Sequence, residues 1–357
     1  MSRLFVGNFS FEQGLDPGYQ PKQSILRFES ELACLWRAIA RDDDEILCSA
    51  AFPKSGLDRL ASLGIAQPRF LTLNELGESK AKELVPWGWT PAVRQLAAQL
   101  RVPVRAPDQE TVWRGNSRAW GVQTARELGV HLPGECVVHS LAELMPEIQR
   151  IHEQSGKWII KPLHGQSGRG QIRGNGPFLS EQQFATILHL LSRQGGVTVE
   201  PQLDCIQELG GEWEILPDNT VQFHGLTLLL TDSQGRYQGT QVNSVEIDPV
   251  ARENIKSVQR DAVTRLAETG YFGPVGIDAM LYRQEDRVLT RPLQDVNARW
   301  TMGRIAWEWG QHFRDADDSP PAGRWIHAAE SPDPQSISLS PAELDGIPVR
   351  CRTWWVV

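Results

Sequence analysis

Gly276-Ile277-Asp278-Ala279-Met280, followed after a short charged interval by Gln294-Asp295-Val296-Asn297-Ala298-Arg299-Trp300-Thr301-Met302-Gly303, is the stretch on which the fold turns. Residues 275–282 read as a strand, 283–287 as a polar turn and 288–296 as the returning strand. In such a hairpin Asp278 faces Asp295 and Asn297 across the pair. Asp295 and Asn297 are two apart, so their side chains share a face. Two carboxylates and an amide oxygen form an all-oxygen donor set suited to magnesium, with manganese as a substitute, which leaves other positions to water and phosphate. On these three residues alone, an ordinary hairpin with a solvated acidic face is slightly the more economical reading. The rest of the chain overturns that order.

The chain has 357 residues, 40% of them hydrophobic, enough for two or three domains with real cores. Its 36 basic and 44 acidic residues give a net charge of −8, and no basic run or interleaved aromatic pattern is present. That balance argues against a nucleic-acid partner. No apolar run approaches the ~20 residues of a membrane span, and the opening Met1-Ser2-Arg3-Leu4-Phe5-Val6-Gly7 reads as a first strand rather than a leader. The expectation is a cytoplasmic protein without a membrane partner. Cys34, Cys48, Cys136, Cys205 and Cys351 are scattered, without a Cys-x-x-Cys pair, and read as small apolar residues. His152-Glu153 lacks a second His at helical spacing, so no zinc-protease helix is indicated.

Residues 3 to about 105 alternate strand-like and helix-like segments. Strands are expected at 4–6 and 45–50, and helices at 30–40, 54–63 and 91–100, giving a small open sheet with flanking helices. Val85-Pro86-Trp87-Gly88-Trp89-Thr90-Pro91 interrupts the pattern and reads as a loop. Its two tryptophans suit either a ligand wall or, more commonly, a domain interface. Helices are expected over 116–128 and 141–152.

A short buried strand over 158–162 then runs into Leu163-His164-Gly165-Gln166-Ser167-Gly168-Arg169-Gly170-Gln171. Gly165, Gly168 and Gly170 allow backbone N–H groups to converge on an anion. The loop matches neither the P-loop nor the dinucleotide pattern. Lys161 strengthens it, because a lysine at the end of a buried strand is a fixed cation for phosphate oxygens. Without the other motifs, a simple surface hairpin reads about as well. Residues 197–203 form a strand that breaks at Pro201, freeing backbone groups that suit an adenine edge. A solvated acidic loop would look much the same.

Taken in order, these segments resemble the ATP-grasp superfamily, which includes D-alanine:D-alanine ligase, biotin carboxylase and glutathione synthetase, over residues of about 109–312. The resemblance implies an α/β fold: an ATP-grasp domain of two α+β lobes over 109–315, its lid at about 156–200, a small α/β domain over 1–108 and a tail over 316–357. Arg118, eleven residues before Gly129, stands where the family usually has its first phosphate-binding lysine, and Lys161 resembles the second. The loop holding His164, Gly165, Ser167, Gly168 and Gly170 resembles the phosphate lid. Glu200, Gln202 and Leu203 resemble the adenine-contacting hinge. Either Glu208 or Glu212 aligns with the ribose carboxylate, and the Gly211-Glu212 pair favours Glu212. Asp278, Asp295 and Asn297 match the metal ligands, although the family more often has Glu where this chain has Asp295. Arg299 matches the arginine aimed at the reacting carboxylate or phosphate.

What this implies is an ADP-forming ligase. ATP with Mg2+ would phosphorylate a small-molecule carboxylate, and an amine or other nucleophile would displace phosphate from the acyl phosphate. Such chemistry needs positioning and charge neutralisation rather than a Ser-His-Asp set. Lys161 and Arg299 would be its catalytic cations. The alternatives are a phosphotransferase acting on a nonacyl acceptor and a noncatalytic ATP-binding module. Trp87, Trp89, His164 and Arg304 are candidate walls of the acceptor pocket, and a homodimer is the default assembly.

Overall fold

The computed structural model describes residues 1–53, 58–165, 170–232, 236–242, 245–313, 323–350 and 352–356. The chain begins with β1 (Arg3–Val6), α1 (Phe11–Gly14), α2 (Gln23–Leu32), β2 (Glu45–Leu47), α3 (Asp58–Ser62), β3 (Arg69–Leu71), β4 (Glu83–Pro86) and α4 (Pro91–Gln99). Its strands form a parallel sheet in the order β3-β2-β1-β4. Thr90 caps α4 and Pro91 opens it, a start signal visible in the sequence. Two details differ from expectation. The helix expected over 30–40 starts earlier and tightens into a 3-10 turn at Ala33–Ala38, all six residues of which are buried around Trp36. Val85 and Pro86, read as loop, end β4 beside Val6; the strand is at the sheet edge, where a proline removes no needed ladder donor.

After α5 (Gln109–Gly115) and α6 (Arg118–Glu127) come β5 (Cys136–Val138), α7 (Leu141–Ser155), β6 (Trp158–Pro162), β7 (Ile172–Gly174), α8 (Glu181–Gln194) and β8 (Val197–Pro201). These four strands make an antiparallel sheet in the order β5-β8-β6-β7. Ser140 caps α7, and Ser180 and Gln183 form a reciprocal capping box on α8. The unit has its own core of Leu144, Ile148, Ile151, Trp158, Ile187 and neighbours.

The rest of the chain builds one eight-stranded antiparallel sheet: β9 (Asp204–Ile215), β10 (Val221–Thr231), β11 (Tyr237–Val242), α9 (Pro249–Glu268), β12 (Gly273–Gln284), β13 (Arg287–Asn297), α10 (Met302–His312), β14 (Gly323–Ala328), β15 (Ile337–Ser338), a small pair of β16 (Glu343–Leu344) and β17 (Ile347–Pro348), and β18 (Arg352–Val356). The strand order is β13-β12-β9-β10-β11-β14-β18-β15. The C-terminal segment therefore extends the main sheet. Trp325 and Trp355 lie in one continuous core with Phe5 and Trp36 of the first unit and Trp309 of α10. The expected α/β architecture is thus what the structure shows. Among the described residues no helix is long and apolar enough to cross a membrane, and Cys34, Cys48, Cys136 and Cys205 are free thiols.

Candidate active site

The period of two along β9, β12 and β13 sorts their residues onto two faces. Leu209, Trp213, Ile215, Val275, Ile277 and Ala279 are buried hydrophobics. The other face carries acids, set side by side by register: Gly210, Asp278 and Asp295 form one rung, and Glu212, Gly276 and Asn297 the next. Asp278 therefore stands directly opposite Asp295, as the hairpin reading expects. A bulge interrupts the next rung, because Ala279 alone spans the interval that β13 fills with residues 292–294. Pro292, which has no N–H for the ladder, sits in it. The buried Gln259 of α9 secures the bulge, its Nε2 donating to the carbonyls of Pro292 and Ile277 (both 3.1 Å) while its Oε1 accepts from Trp213 Nε1. Beyond the bulge, Arg291 lies opposite Met280, which in turn pairs with Glu208 on its other side.

These acids floor a cleft between the main sheet and the β5-β8-β6-β7 sheet. One end, of about 200 Å3, is lined by Asp278, Asp295, Asn297, Arg118, Arg299 and Glu212, with Gly165, Phe9 and Trp87 also present. The other, of about 530 Å3, is lined by Lys161, Glu200, Gln202, Leu203, Arg291 and strand residues of β10. Gln171, Arg173, Glu208, Leu229, Thr231 and Gln294 line both, so the two are one continuous cleft.

Three expected cations enter it, each already partnered. Arg118, at the start of α6, donates from Nε and an Nη to Asp295 at 2.9–3.1 Å, and another Nη donates to the Pro162 carbonyl at 2.7 Å. It thereby ties α6, the end of β6 and β13 together. Lys161 lies 2.7 Å from Glu200, both side chains only 5% exposed. Arg299 donates from Nε to Glu12 Oε1 at 2.9 Å, with a second, shorter contact, and to Asn297 Oδ1 at 2.9 Å. Asn297 Nδ2 in turn reaches Asp278 Oδ2 at 3.3 Å.

Arg291 completes a buried network that the motif reading missed. It donates to both oxygens of Glu200 at 3.0 Å and to Glu135 Oε1 at 2.5 Å. Glu135 and Glu200 belong to the smaller sheet unit and Arg291 to the main sheet, so the network joins the two. Burial opposes the charge on Glu200, yet Arg291 and Lys161 hold its carboxyl below the usual range. Burial raises Glu135 to about 7. At the acidic end, burial and then the carboxylates of Asp295, Glu208 and Glu212 push Asp278 up to about 7, and burial also raises Glu208 and Glu212.

Asp278, Asp295, Asn297, Arg118, Arg299, Gly165, Glu208 and Glu212 are thus brought together at one end, with Lys161, Glu200, Gln202 and Leu203 at the other. Glu208 borders both ends. Glu212 is 2% exposed and bound by the hydroxyls of Thr301 (2.6 Å) and Thr227 (3.3 Å). A side chain at Gly303 would place a Cβ 2.0 Å from its carboxylate, so only glycine fits there. Gly170, at φ +75°, packs by Pro162 rather than on the cleft floor. Ser167 and Gly168 lie outside the described residues. The His164 ring is not in the cleft: it packs on Trp113 at 4.6 Å and lines a separate cavity. Arg304 is no pocket wall either; it is buried against Glu214, Glu308 and the Trp300 ring. Trp87 lines the cleft, and with Trp89 an adjoining groove. Among the described residues no three Asp, Glu, His or Cys side chains form a metal set by themselves, so a cation would need the Asn297 amide or a ligand's oxygens.

No protein-family profile and no curated relative matches the sequence. Solved structures do resemble the fold. The biotin carboxylase of Campylobacter jejuni, in a β-γ-ATP complex, superposes with a TM-score of 0.63 at 10% identity, over 99% of this chain and 87% of that one. The biotin carboxylase domain of Hydrogenobacter thermophilus 2-oxoglutarate carboxylase, in complex with MgADP, ADP and bicarbonate, gives 0.60 at 12% identity, over 99% and 86%. N5-carboxyaminoimidazole ribonucleotide synthetase of Thermus thermophilus gives 0.56 at 12% identity, over 100% and 93%.

Proposed function

Because this chain has the ATP-grasp fold, we propose that it is an ADP-forming ligase that activates a small-molecule carboxylate as an acyl phosphate and passes it to an amine or other nucleophile. The observation that carries this is the charge at the cleft's smaller end. Four carboxylates (Glu208, Glu212, Asp278, Asp295) line it with three guanidiniums (Arg118, Arg173, Arg299), and Glu12 holds Arg299 from behind. This crowding of carboxyl oxygens, which keeps the Asp278 carboxyl partly protonated, suits one divalent cation. The donor set fits magnesium: Asp278 is engaged only weakly by the Asn297 amide, and Asp295 would be shared with Arg118. When bound, the ion would neutralise phosphate charge.

The residues then take distinct parts. Arg118 and Lys161 hold phosphates, Lys161 exchanging Glu200 for a nucleotide oxygen. Gln202 and Leu203 offer backbone to adenine after β8 ends. Glu208, at the junction of the two cleft ends, suits ribose better than Glu212, whose carboxylate is committed to two threonines. Arg299, oriented by Glu12 and Asn297, stabilises the transferring group.

The test is magnesium-dependent ADP formation from ATP against pooled carboxylates with hydroxylamine present. Carboxylate-dependent ADP together with a hydroxamate is the expected result; ADP formed without either sinks the reading. The Arg118–Asp295 ion pair favours a second reading, a nucleotide-binding protein without turnover, in which the pair replaces the metal. ATP binding that is indifferent to magnesium and accompanied by no ADP would select it.

A further inference from the structure

A groove of about 520 Å3 runs along β4, the edge strand of the parallel sheet, between the first unit and the main sheet, and no role above uses it. Its size and its place between two units are those of a ligand site. Trp89, its ring under Arg94 at 5.7 Å, lines it from the first unit; Phe272 and Pro217 line it from the main sheet, and Trp300 from the turn after β13. All four are at least partly exposed. The Trp300 N–H donates to the Trp87 carbonyl at 3.0 Å, which fixes one wall against the other. Most charged side chains on the lining are already paired: Arg3 with Asp44 at 2.6 Å, Arg299 with Glu12, and Glu214 with Arg304 at 3.0 Å. Arg41 and Arg105 are not. Both are exposed, and among the described residues neither guanidinium has an ion-pair or hydrogen-bond partner. Among the same residues Glu83 is the one lining acid left without a cation, so two open guanidiniums face one open carboxylate.

Long, exposed arginine side chains can turn toward a bound anion, and the guanidinium fork matches carboxylate and phosphate oxygens. Indole and phenyl surfaces favour a planar partner. A cationic ligand would find only Glu83 to answer the two guanidiniums. An added peptide strand has little to pair with, because β4 is four residues long and ends in Pro86. We infer that the groove binds a small anion carried on a planar aromatic body, the body against Trp89 and Phe272 and its carboxylate or phosphate on Arg41 and Arg105. This is a second ligand site, apart from the nucleotide and from the carboxylate to be activated, and it stands whether or not the ligase reading does. Trp87 and Arg299 border both the groove and the smaller end of the cleft, so an occupant would sit next to the candidate site.

Calorimetric titration of the full chain with naphthoate, naphthyl phosphate and naphthol tests this directly. Both anions are expected to bind, and the alcohol at least about tenfold more weakly; the order of the two anions names the headgroup. Arg41→Gln and Arg105→Gln change exposed side chains that do not line the cleft, so both variants should fold like wild type. Each should weaken the anions about 3- to 5-fold, and the two together about tenfold or more. Phe272→Ala should weaken all three probes, the alcohol included. Naphthol binding as tightly as the anions, or the double arginine variant binding them like wild type, overturns the assignment. No ATP is present in these titrations, so their outcome is read separately from the test of the ligase reading.

Discussion

Two clusters of ionisable side chains lie along the same cleft, and they differ in balance. At the larger end Lys161 and Arg291 meet Glu135 and Glu200, two cations for two anions, with every member buried. At the smaller end four carboxylates line the space with three guanidiniums, one of them already held by Glu12, and the strand register forces Asp278 against Asp295. A closed, neutral set needs nothing further and serves to join two sheets. A set with surplus charge is stable only with something added, and the sign of the surplus says what. Burial alone therefore does not mark a site; uncompensated charge does.

The comparison breaks most visibly at Arg291. Arg291→Met leaves Glu135 without a cation and Glu200 with only Lys161, across the joint between the two sheets. Losing one partner of a buried ion pair typically costs about 3–5 kcal/mol, so the urea midpoint should fall accordingly, and Arg291→Lys should recover part of the loss. An unchanged midpoint would mean that the network does not hold the sheets together.

Asp278→Asn probes the other cluster and should act in the opposite sense on stability. The folded carboxyl is raised from 3.8 to about 7, so the fold favours its protonated form. Without metal, the wild-type protein therefore loses stability from this residue as pH rises from about 4 to 7, and the asparagine variant does not. Near pH 7 the variant should unfold at an equal or higher temperature than wild type in EDTA. Magnesium should raise the wild-type midpoint and leave the variant unmoved. Turnover should drop by roughly 10²-fold or more, in the range of lost electrostatic stabilisers. A variant that still responds to magnesium would remove Asp278 from the proposed metal set.

How much of this could be read beforehand follows the range of the interactions. The hairpin, the strand at 158–162 and the helices expected over 91–100, 116–128 and 141–152 are local patterns of period and end signals, and they stand within a few residues of where the sequence puts them, whereas α5, α8, α9 and α10 are not among the expected helices. The face shared by Asp278, Asp295 and Asn297 follows from the same local rule. Arg291 could not be placed that way, because the Pro292 bulge shifts its register and its partner Glu135 is 156 residues away. Glu12, 287 residues from Arg299, carries no local signal either. By spacing either Glu208 or Glu212 aligns, with the Gly211-Glu212 pair favouring Glu212; the hydroxyls of Thr227 and Thr301 that engage Glu212 come from β10 and the start of α10, which no local pattern announces. A proline in a strand before a Gln-Asp pair was the one available hint of the bulge.

The smallest expected effect separates two members of the balanced network from each other. Burial raises Glu135 from 4.5 to about 7, whereas Arg291 and Lys161 outweigh burial at Glu200 and lower it. A raised acid costs the fold stability as pH climbs from 4.5 through about 7; a lowered one adds stability above 4.5 that disappears as pH falls through its folded value. Glu135→Gln should therefore lie within about 1 kcal/mol of wild type at pH 5, and gain on it toward pH 8. Glu200→Gln should be plainly destabilised at pH 7, with the gap closing as pH drops below 4.5. Urea midpoints of both variants at pH 4, 5, 7 and 8 read the two slopes. Parallel slopes would mean that the two carboxylates share their charge equally and that Arg291 does not discriminate between them.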